Sequence, residues 1–273
     1  MTVGNETTIA VSESVNMTNK ATKIDVTDCN IGETGAAALL RQLAKSVQSL
    51  IMAHNKIGEL GAKTLKNVIT SKDHSNLTEL NISYNNLGDK STLLCLSALL
   101  IKSHQHVKIL NLAGNKLARH SAESLCSILR TKNCNLMQLN ISNNFLTAFD
   151  FGEICEALEE NETLEDLDAS SNGIGSSPIL DIQTCMDQLS SALEINETLH
   201  HLILSGNQLE YAQLKLIVPG LMKNKTLLGF HLGHNMARMD SYGFLTPLSH
   251  DEAFERLDGH IQQNMKFRGR RDC

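Results

Sequence analysis

The sequence contains no tryptophan, few other aromatic residues and no long uninterrupted apolar run. Aromatic residues make up only 4% of the 273 residues, and the longest apolar stretches, such as residues 93–101, are too short to cross a bilayer. No transmembrane helix is therefore predicted. The first 20 residues also lack the basic start and apolar core of a secretory signal, so we expect a cytoplasmic protein without a membrane partner.

The cysteines lack the spacing of a disulfide framework or a zinc site. There are seven, an odd number, and no C-x-x-C pair occurs. We expect free thiols in a reducing compartment. Cys95, Cys126, Cys155 and Cys185 fall at similar points of predicted helices, where they are expected to be small core residues, and Cys273 is the one thiol expected to be exposed.

Motifs typical of enzymes are missing as well. The sequence has no glycine-rich phosphate loop, no H-E-x-x-H and no G-x-S-x-G. Its net charge of -6 disfavours a general nucleic-acid binder. These absences favour a protein that is not an enzyme and that uses no cofactor, metal ion, nucleic acid or small-molecule substrate.

The chain does contain one sequence motif that is repeated eight times. The pattern L-x-x-L-x-L-x-x-N-x-L begins at Leu77, Val107, Leu136, Leu164 and Leu199, with weaker copies from Ala21, Val47 and Leu227. Its asparagine, which we call the ladder position, is filled in order by Cys29, Asn55, Asn85, Asn115, Asn144, Asn172, Asn207 and Asn235. Successive ladder positions lie 26, 30, 30, 29, 28, 35 and 28 residues apart, so each copy should form one structural unit.

Each copy predicts one short strand followed by one helix. In Leu110-Asn111-Leu112 the two leucines point to one face of a strand, and further on Ala122 and Leu125 recur at helical spacing. Strands joined through helices in the same sense are parallel, and the stack must curve because helices need more lateral room than strands. The ladder asparagines are expected to satisfy backbone groups of adjacent turns.

The period of 28 to 30 residues, the L-x-L-x-x-N-x-L core and the helix start IGELGA at residues 57–62 resemble the ribonuclease-inhibitor subfamily of leucine-rich repeats. The resemblance covers residues 21–239. It implies an α/β leucine-rich repeat solenoid, a horseshoe of about eight repeats with parallel strands on the concave face and helices on the convex face. Ribonuclease inhibitor itself is a poor match, because it is rich in cysteine and relies on tryptophan contacts.

The last repeat carries a second resemblance. LLGFHLGHNMARMDSYGFL, residues 227–245, is similar to a terminal repeat common in leucine-rich proteins of ciliated and flagellated protists. Some of those proteins sit on the axoneme. The resemblance therefore implies a cytoskeletal setting, with the cilium or flagellum as one location.

Three segments are predicted along the chain. Residues 1–20 are polar and either disordered or folded over the edge of the first strand, residues 21–240 form the repeat domain, and residues 241–273 form a cap helix that starts at Ser249 and a basic tail. The tail contains Lys266, Arg268, Arg270 and Arg271. It either binds an acidic surface or keeps the chain end soluble. The long interval between Asn172 and Asn207 predicts an enlarged loop or helix on the convex side or the rim.

Partner binding is predicted on the strand residues that point away from the helices, which we call the strand face. One row there is Asp25, Ile51, Asn81, Asn111, Asn140, Asp168, Ile203 and His231, and the row beside it is Lys23, Ser49, Glu79, Ile109, Gln138, Asp166, His201 and Gly229. Because strands hold such side chains in fixed rows, they suit recognition of a partner protein. The candidate binding residues are Ile51, Glu79, Asn81, Tyr84, Ile109, Asn111, Gln138, Asn140, Asp166, Asp168, His201, Ile203 and His231. Ile51, Tyr84, Ile109 and Ile203 are the expected apolar anchors.

Two clusters have alternative interpretations. The first cluster contains Asp166, Asp168, His201 and His231, with His234 as a further candidate member. It forms either a metal or acid–base site or a polar recognition surface, and we favour the recognition surface. The glutamates between residues 153 and 165 form either a solvated helix face or an acidic ridge for a basic partner.

The sequence thus favours a non-catalytic scaffold that binds a partner protein through the strand face and the loop rim, in a ciliary, axonemal or other cytoskeletal assembly. The rival hypothesis is a GTPase-activating protein, because the activator of the Ran GTPase resembles this repeat type. Arg119, with Asn115 or Asn143, would then position water or offset charge on the phosphoryl group. The long acidic C-terminal tail typical of that family is absent from the sequence.

Overall fold

The structure, a computed structural model, describes residues 20–71, 76–99, 106–132, 134–239, 245–247 and 260–261. The chain divides into two compact units, residues 1–139 and 140–273. The predicted N-terminal segment, apart from Lys20, and the predicted basic tail with Lys266, Arg268, Arg270 and Arg271 lie outside the described residues, as does Cys273.

The first unit alternates strands and helices in chain order. Its strands are β1 (Lys23–Asp25), β2 (Ser49–Ile51), β3 (Glu79–Asn81), β4 (Ile109–Asn111) and the start of β5 (Gln138–Asn140). Its helices are α1 (Glu33–Arg41), α2 (Gly58–Thr70), α3 (Gly88–Leu99) and α4 (Arg119–Leu129). β1 to β4 pair in parallel with their neighbours in sequence, and the N–H of Gln138 donates to the carbonyl of Lys108 at 3.0 Å, which places the start of β5 beside β4.

The second unit continues the same alternation. Its strands β6 (Asp166–Asp168), β7 (His201–Ile203) and β8 (Gly229–His231) pair in parallel. Its helices are α5 (Ala148–Glu160), α6 (Ile179–Ile195), α7 (Tyr211–Leu214) and α8 (Val218–Lys223), with 3-10 turns at Ile174–Ser176 and Lys215–Ile217. The predicted α/β repeat fold is confirmed in both units.

The end of the chain departs from the predicted cap helix where the structure describes it. β9 (Ala237–Met239) and β10 (Leu245–Pro247) form an antiparallel pair. β11 (His260–Ile261) pairs antiparallel with β8. These two residues were expected within the cap helix, so at this point a strand replaces the predicted helix, and the rest of the predicted helix lies outside the described residues.

Each repeat buries one face of its strand against its helix. The middle residue of every strand in the two repeat stacks is apolar and buried, from Ile24 in β1 through Leu110 in β4 to Phe230 in β8. The four helix cysteines predicted to be core residues are buried as well. Burial raises the pKa of the Cys95 and Cys185 thiols to about 12, so these two side chains stay protonated and unreactive at neutral pH.

The ladder asparagines join consecutive turns, as predicted. Asn115 is fully buried, its Oδ1 accepts the N–H of Asn85 at 3.1 Å, and its Nδ2 donates to the carbonyl of Ile82 at 2.9 Å. In the second unit Asn207 accepts the N–H of Asn172 at 2.9 Å in the same way. One amide side chain thus satisfies buried backbone groups of two successive repeats, which explains why the residue recurs.

A second asparagine ladder runs along the loops that follow the helices of the second unit. Asn161, Asn196 and Asn224 are buried there, each within an N-x-T-L sequence. Nδ2 of Asn196 donates to the carbonyls of Leu158 at 2.7 Å and of Asn161 at 3.0 Å. These three asparagines therefore have a structural role in the folded chain.

The residue before each ladder position has a left-handed backbone. These eight residues are Asp28, His54, Tyr84, Gly114, Asn143, Ser171, Gly206 and His234, with φ between 51° and 69°. These residues form the tight turns at the rim where the chain leaves each strand. The N–H of Tyr84 donates to the carbonyl of Ala113 in the next repeat at 2.7 Å, which holds the turn in place.

Asp89 in the first turn of α3 caps the start of the next helix, α4. Its Oδ1 accepts the N–H groups of Ala118 at 3.0 Å and Ser121 at 2.9 Å, and its Oδ2 accepts the N–H of His120 at 3.1 Å. Burial acts to raise the pKa of this carboxyl, but the hydrogen bonds from Ser121, Ala118 and His120 outweigh it and lower the pKa to about 2. The ionised form is therefore the one that stabilises α4.

We expect Asp89→Ala to lower the free energy of unfolding at pH 7 by about 1 kcal/mol, the usual loss for a helix cap. Because the folded pKa lies below the unfolded value, the cap contributes fully above about pH 4, and its contribution is lost as the pH falls toward 2. The difference between the two proteins in urea unfolding should shrink over that range. Glu123→Ala, which removes an exposed partner of Arg119, is the control and should cost under about 0.5 kcal/mol. Equal unfolding midpoints for Asp89→Ala and the intact protein at pH 7 would contradict the assignment.

Candidate protein-binding surface

The two predicted rows of the strand face are present in both units. In the first unit the strand register aligns Asp25, Ile51, Asn81 and Asn111 in one row, and Lys23, Ser49, Glu79 and Ile109 in the other. In the second unit it aligns Asp168, Ile203 and His231, and beside them Asp166, His201 and Gly229. Gln138 and Asn140 are the first and last residues of β5. The structure thus places the predicted binding residues as the repeat required, while binding by them stays a prediction.

The polar members of the first row are tied to the turn that follows their own strand. Oδ1 of Asn81 accepts both the N–H of Ser83 at 3.0 Å and its hydroxyl at 2.7 Å. Asp168 accepts the same two bonds from Ser170, at 3.0 Å and 2.7 Å. One oxygen of each side chain is therefore used locally, and the sequence signal that we missed is Asn or Asp followed two residues later by Ser or Thr.

Bonds between neighbouring strands fix further side chains of the strand face. The hydroxyl of Ser49 in β2 donates to the carboxylate of Glu79 in β3. Nδ2 of Asn140 donates to Oδ2 of Asp168 at 3.1 Å. These side chains lose little conformational freedom when a partner binds, because they are already held in one arrangement.

A stacked pair of rings marks the rim of the first unit. The rings of His54 and Tyr84 lie parallel within 9°, with centroids 4.5 Å apart, and Tyr84 remains 41% exposed. Gly114 occupies the equivalent position in the next repeat, where a Cβ atom would overlap the Tyr84 ring. Tyr84 is thus a rigid, exposed aromatic side chain, the type that dominates protein interfaces.

The second unit has a stacked pair of histidines on its strand face. The His201 and His231 rings lie 6.5 Å apart and within 21° of parallel. Gly229 leaves room for His201, because a Cβ atom there would clash with that ring. In the part of the chain that the structure describes, no three His, Cys, Asp or Glu side chains converge as metal ligands would. The metal-site interpretation of this cluster therefore has no support from the described residues.

The residues assigned to a GTPase-activating role do not all reach the surface. Asn115 is fully buried in the ladder, so its assignment as a residue that positions water or offsets charge on the phosphoryl group is wrong. Arg119 is exposed on α4 and its Nε lies 2.8 Å from Oε1 of Glu123. Asn143 is exposed at the turn after β5.

The predicted acidic ridge lies on α5 and the turn after it. Glu153, Glu156 and Glu159 are half-buried, and Oε1 of Glu156 accepts a hydrogen bond from Nε2 of Gln188 on α6 at 2.6 Å. Residues 140–239 carry fourteen Asp and Glu but only four Lys and Arg. The second unit is therefore strongly negative around this ridge.

Comparisons with known proteins agree with the repeat geometry. The family model for the Leucine Rich repeat matches residues 22–40 and 73–91. The chain is a leucine-rich repeat protein. No curated protein sequence matches this leucine-rich repeat protein significantly. Within its described residues, no helix is long and apolar enough to cross a membrane.

Several solved structures are similar to this leucine-rich repeat protein. The C-terminal domain of a Caenorhabditis elegans tropomodulin shares 19% identity with a TM-score of 0.48, over 60% of this chain and 92% of that one. Actin-binding site 2 of leiomodin-1 shares 20% identity with a TM-score of 0.43, over 59% and 88% of the two chains. Internalin C2 of Listeria monocytogenes shares 19% identity with a TM-score of 0.42, over 72% and 77%.

Proposed function

We propose that this leucine-rich repeat protein is a non-catalytic scaffold that binds a partner protein through its strand face and the adjoining rim. The observation that carries the proposal is the fixed arrangement of exposed and half-buried side chains on that face and its rim. Hydrogen bonds hold Asn81, Glu79 and Asp168, and stacking holds Tyr84. A preorganised surface of this kind reduces the entropy lost on binding.

Each unit, taken by itself, offers a different chemistry to a partner. The first unit offers apolar anchors, because Tyr84 and Ile109 are exposed and Ile51 is half-buried on the same strand face. The second unit offers a polar set built from Asp166, Asp168, His201 and His231, with Ile203 as its apolar member. Apolar anchors supply most of the binding energy in protein interfaces, and polar groups set specificity.

The proposed setting is a cytoplasmic assembly of the cytoskeleton, with the cilium or flagellum as one location. The support is the resemblance of the last repeat to repeats in ciliary and flagellar proteins. The GTPase-activating alternative has less support, since one of its two candidate asparagines is buried. Added protein should leave GTP hydrolysis by a panel of small GTPases unchanged, whereas acceleration of any one of them would favour the alternative.

Affinity capture from extracts of ciliated cells tests the proposal. Two strand-face variants are compared with the intact protein, Tyr84→Ala with Ile109→Ala in the first unit, and Asp168→Ala with His201→Ala and His231→Ala in the second. We expect at least one of them to lose a defined partner, with a drop in recovery of about tenfold or more, the effect of removing interface anchors.

The control removes an exposed ion pair on the helix side, Glu59→Ala with Lys63→Ala. This variant should retain the partner, because α2 turns those side chains away from the strand face. Circular dichroism confirms that each variant is folded. Loss of the partner in the control, together with full retention in both strand-face variants, would contradict the proposal.

A further inference from the structure

Four large apolar side chains are exposed together at the rim of the second unit. They are Phe145 at 62% exposure, Phe149 at 48%, Ile179 at 57% and Leu180 at 71%. We call these four residues the rim patch. Single exposed apolar residues are common on proteins, but a group of four marks a surface that another molecule covers.

Hydrogen bonds bring the two segments of the rim patch side by side. The N–H of Gly173 donates to the carbonyl of Leu146 at 3.0 Å, and the N–H of Ala148 donates to Oγ of Ser177 at 2.8 Å. Residues 145–149 therefore run beside residues 172–180. The phenylalanines of the first segment and the Ile179-Leu180 pair of the second lie on the same rim.

The rim patch depends on the one enlarged repeat of the chain. The interval between Asn172 and Asn207 is 35 residues, and its extra length forms the 3-10 turn Ile174–Ser176 and the start of α6, a helix of 17 residues. Ile174 is buried within this segment, but Ile179 and Leu180 are not. The two exposed side chains thus add nothing to the core, and burial against a partner would give them a role.

Phe145 departs from the pattern of its position in the repeat. It follows the ladder residue, where two of the other seven copies have Gly173 and Met236. The remaining five have polar side chains, namely Asn30, Lys56, Asn86, Lys116 and Gln208. A polar residue at this rim position is compatible with the turn, so the fold does not require a phenylalanine. Phe145 exposes an aromatic ring at this position, and it does so in the repeat that precedes the enlarged one.

Two carboxylates lie close to the rim patch along the chain. Glu153 lies one helical turn after Phe149 on α5, and Asp181 directly follows Leu180 on α6, both partly exposed. The nearest Lys or Arg after the patch in sequence within this unit is Lys215. Lys or Arg at the margins of a partner would therefore be attracted to this surface, whereas Asp or Glu there would be repelled.

We propose that the rim patch binds a basic amphipathic helix of a partner protein. The apolar side chains come from two adjacent segments, so the patch is wider than one row, which suits the apolar face of a helix better than an extended strand. Lysines or arginines beside that face would pair with Glu153 and Asp181. The rim patch shares no residue with the strand face, so the test below can succeed or fail independently of the strand-face variants.

The test uses an 18-residue model peptide of leucine and lysine that forms an amphipathic helix, and the same pattern with glutamate in place of lysine. Fluorescence anisotropy measures their binding to the full chain. The leucine–lysine peptide should bind, and Phe145→Ser with Leu180→Ser should weaken it by about tenfold, because two apolar anchors are lost. Glu153→Lys with Asp181→Lys should weaken binding and reduce its dependence on salt.

The matched control is Met222→Ser with Ile195→Ser, which removes two exposed apolar side chains elsewhere in the same unit and should leave binding within about twofold of the intact protein. Equal binding of the leucine–lysine peptide to the rim-patch variant and the intact protein would overturn the proposal. Binding of the glutamate peptide with the same affinity would also overturn it. A third outcome would overturn it too: the intact protein forms a concentration-dependent dimer, and the variant Phe145→Ser with Leu180→Ser does not. The occupant of the patch would then be a second copy of the chain.

Discussion

Asn115→Ala is expected to lower the free energy of unfolding by about 3 kcal/mol, the cost of leaving several buried polar groups without partners. Oδ1 of Asn115 accepts the N–H of Asn85 at 3.1 Å and that of Leu87 at 3.4 Å, and its Nδ2 donates to the carbonyls of Ile82 at 2.9 Å and Leu112 at 3.2 Å. The alanine side chain can neither donate nor accept a hydrogen bond. Bulk water does not reach these groups, because the site is fully buried.

Urea unfolding followed by circular dichroism measures this effect. Asn111→Ala is the matched control, since it lies four residues earlier on the strand face and its Oδ1 accepts the N–H of Ala113 at 3.0 Å. We expect the control to cost about 1 kcal/mol or less, because Asn111 is only half-buried and water can take the place of its side chain. If the two variants lost similar amounts of unfolding free energy, the ladder asparagine would contribute no more to stability than a side chain at a surface turn.

Gly220→Ala should destabilise the protein by about 2 kcal/mol, although alanine is the better helix former. Gly220 lies in α8 against the backbone of α6, where a Cβ atom would overlap the carbonyl oxygen of Ser190. The N–H of Gly220 also donates to Oγ of Ser190 at 3.0 Å. Alanine would force α8 away from α6, and the packing lost would exceed the gain in helix propensity.

Gly152→Ala in α5 is the control for this prediction. A Cβ atom there would meet the amide end of Gln188, a flexible side chain that can move, rather than a backbone carbonyl. Its thermal unfolding midpoint should fall less than that of Gly220→Ala, or rise through the improved helix propensity. A higher midpoint for Gly220→Ala than for the intact protein would contradict the close approach of the two helices.

The repeat pattern predicted the features of the fold that have a strict period. The alternation around Leu110 located a strand, the spacing of Ala122 and Leu125 located a helix, and the ladder asparagines bond as expected. These features depend on burial of apolar side chains and on hydrogen bonds to buried backbone amides. Both require particular residue types at a fixed spacing in the sequence.

Features set by backbone geometry or by local hydrogen bonds were missed. The left-handed residues share no side-chain type, since Asp28, Tyr84 and Ser171 all occupy that position, so no composition signal marks them. The second ladder was visible as the repeated N-x-T-L sequence, but the pattern does not show that the amides are buried. The helix predicted through Ile261 relied on apolar spacing and on an N-cap at Ser249, but His260 and Ile261 pair with β8 instead.

The candidate site was predictable in position but not in detail. The rows of the strand face follow directly from the repeat, whereas the stack of Tyr84 on His54 depends on Gly114 in another repeat. The enlarged repeat could be recognised from its length. Its exposed Ile179 and Leu180 could not, because a helical apolar pattern does not distinguish a buried side chain from an exposed one.

A photo-crosslinking amino acid placed singly at Ile109, Ile203 or Lys63 tests the central claim most directly. Ile109 and Ile203 lie on the strand face, and Lys63 is exposed on α2. Irradiation in an extract of ciliated cells should join a partner protein to the chain from Ile109 or Ile203, with no such product from Lys63. A partner joined from Lys63, with none from either strand position, would contradict binding through the strand face.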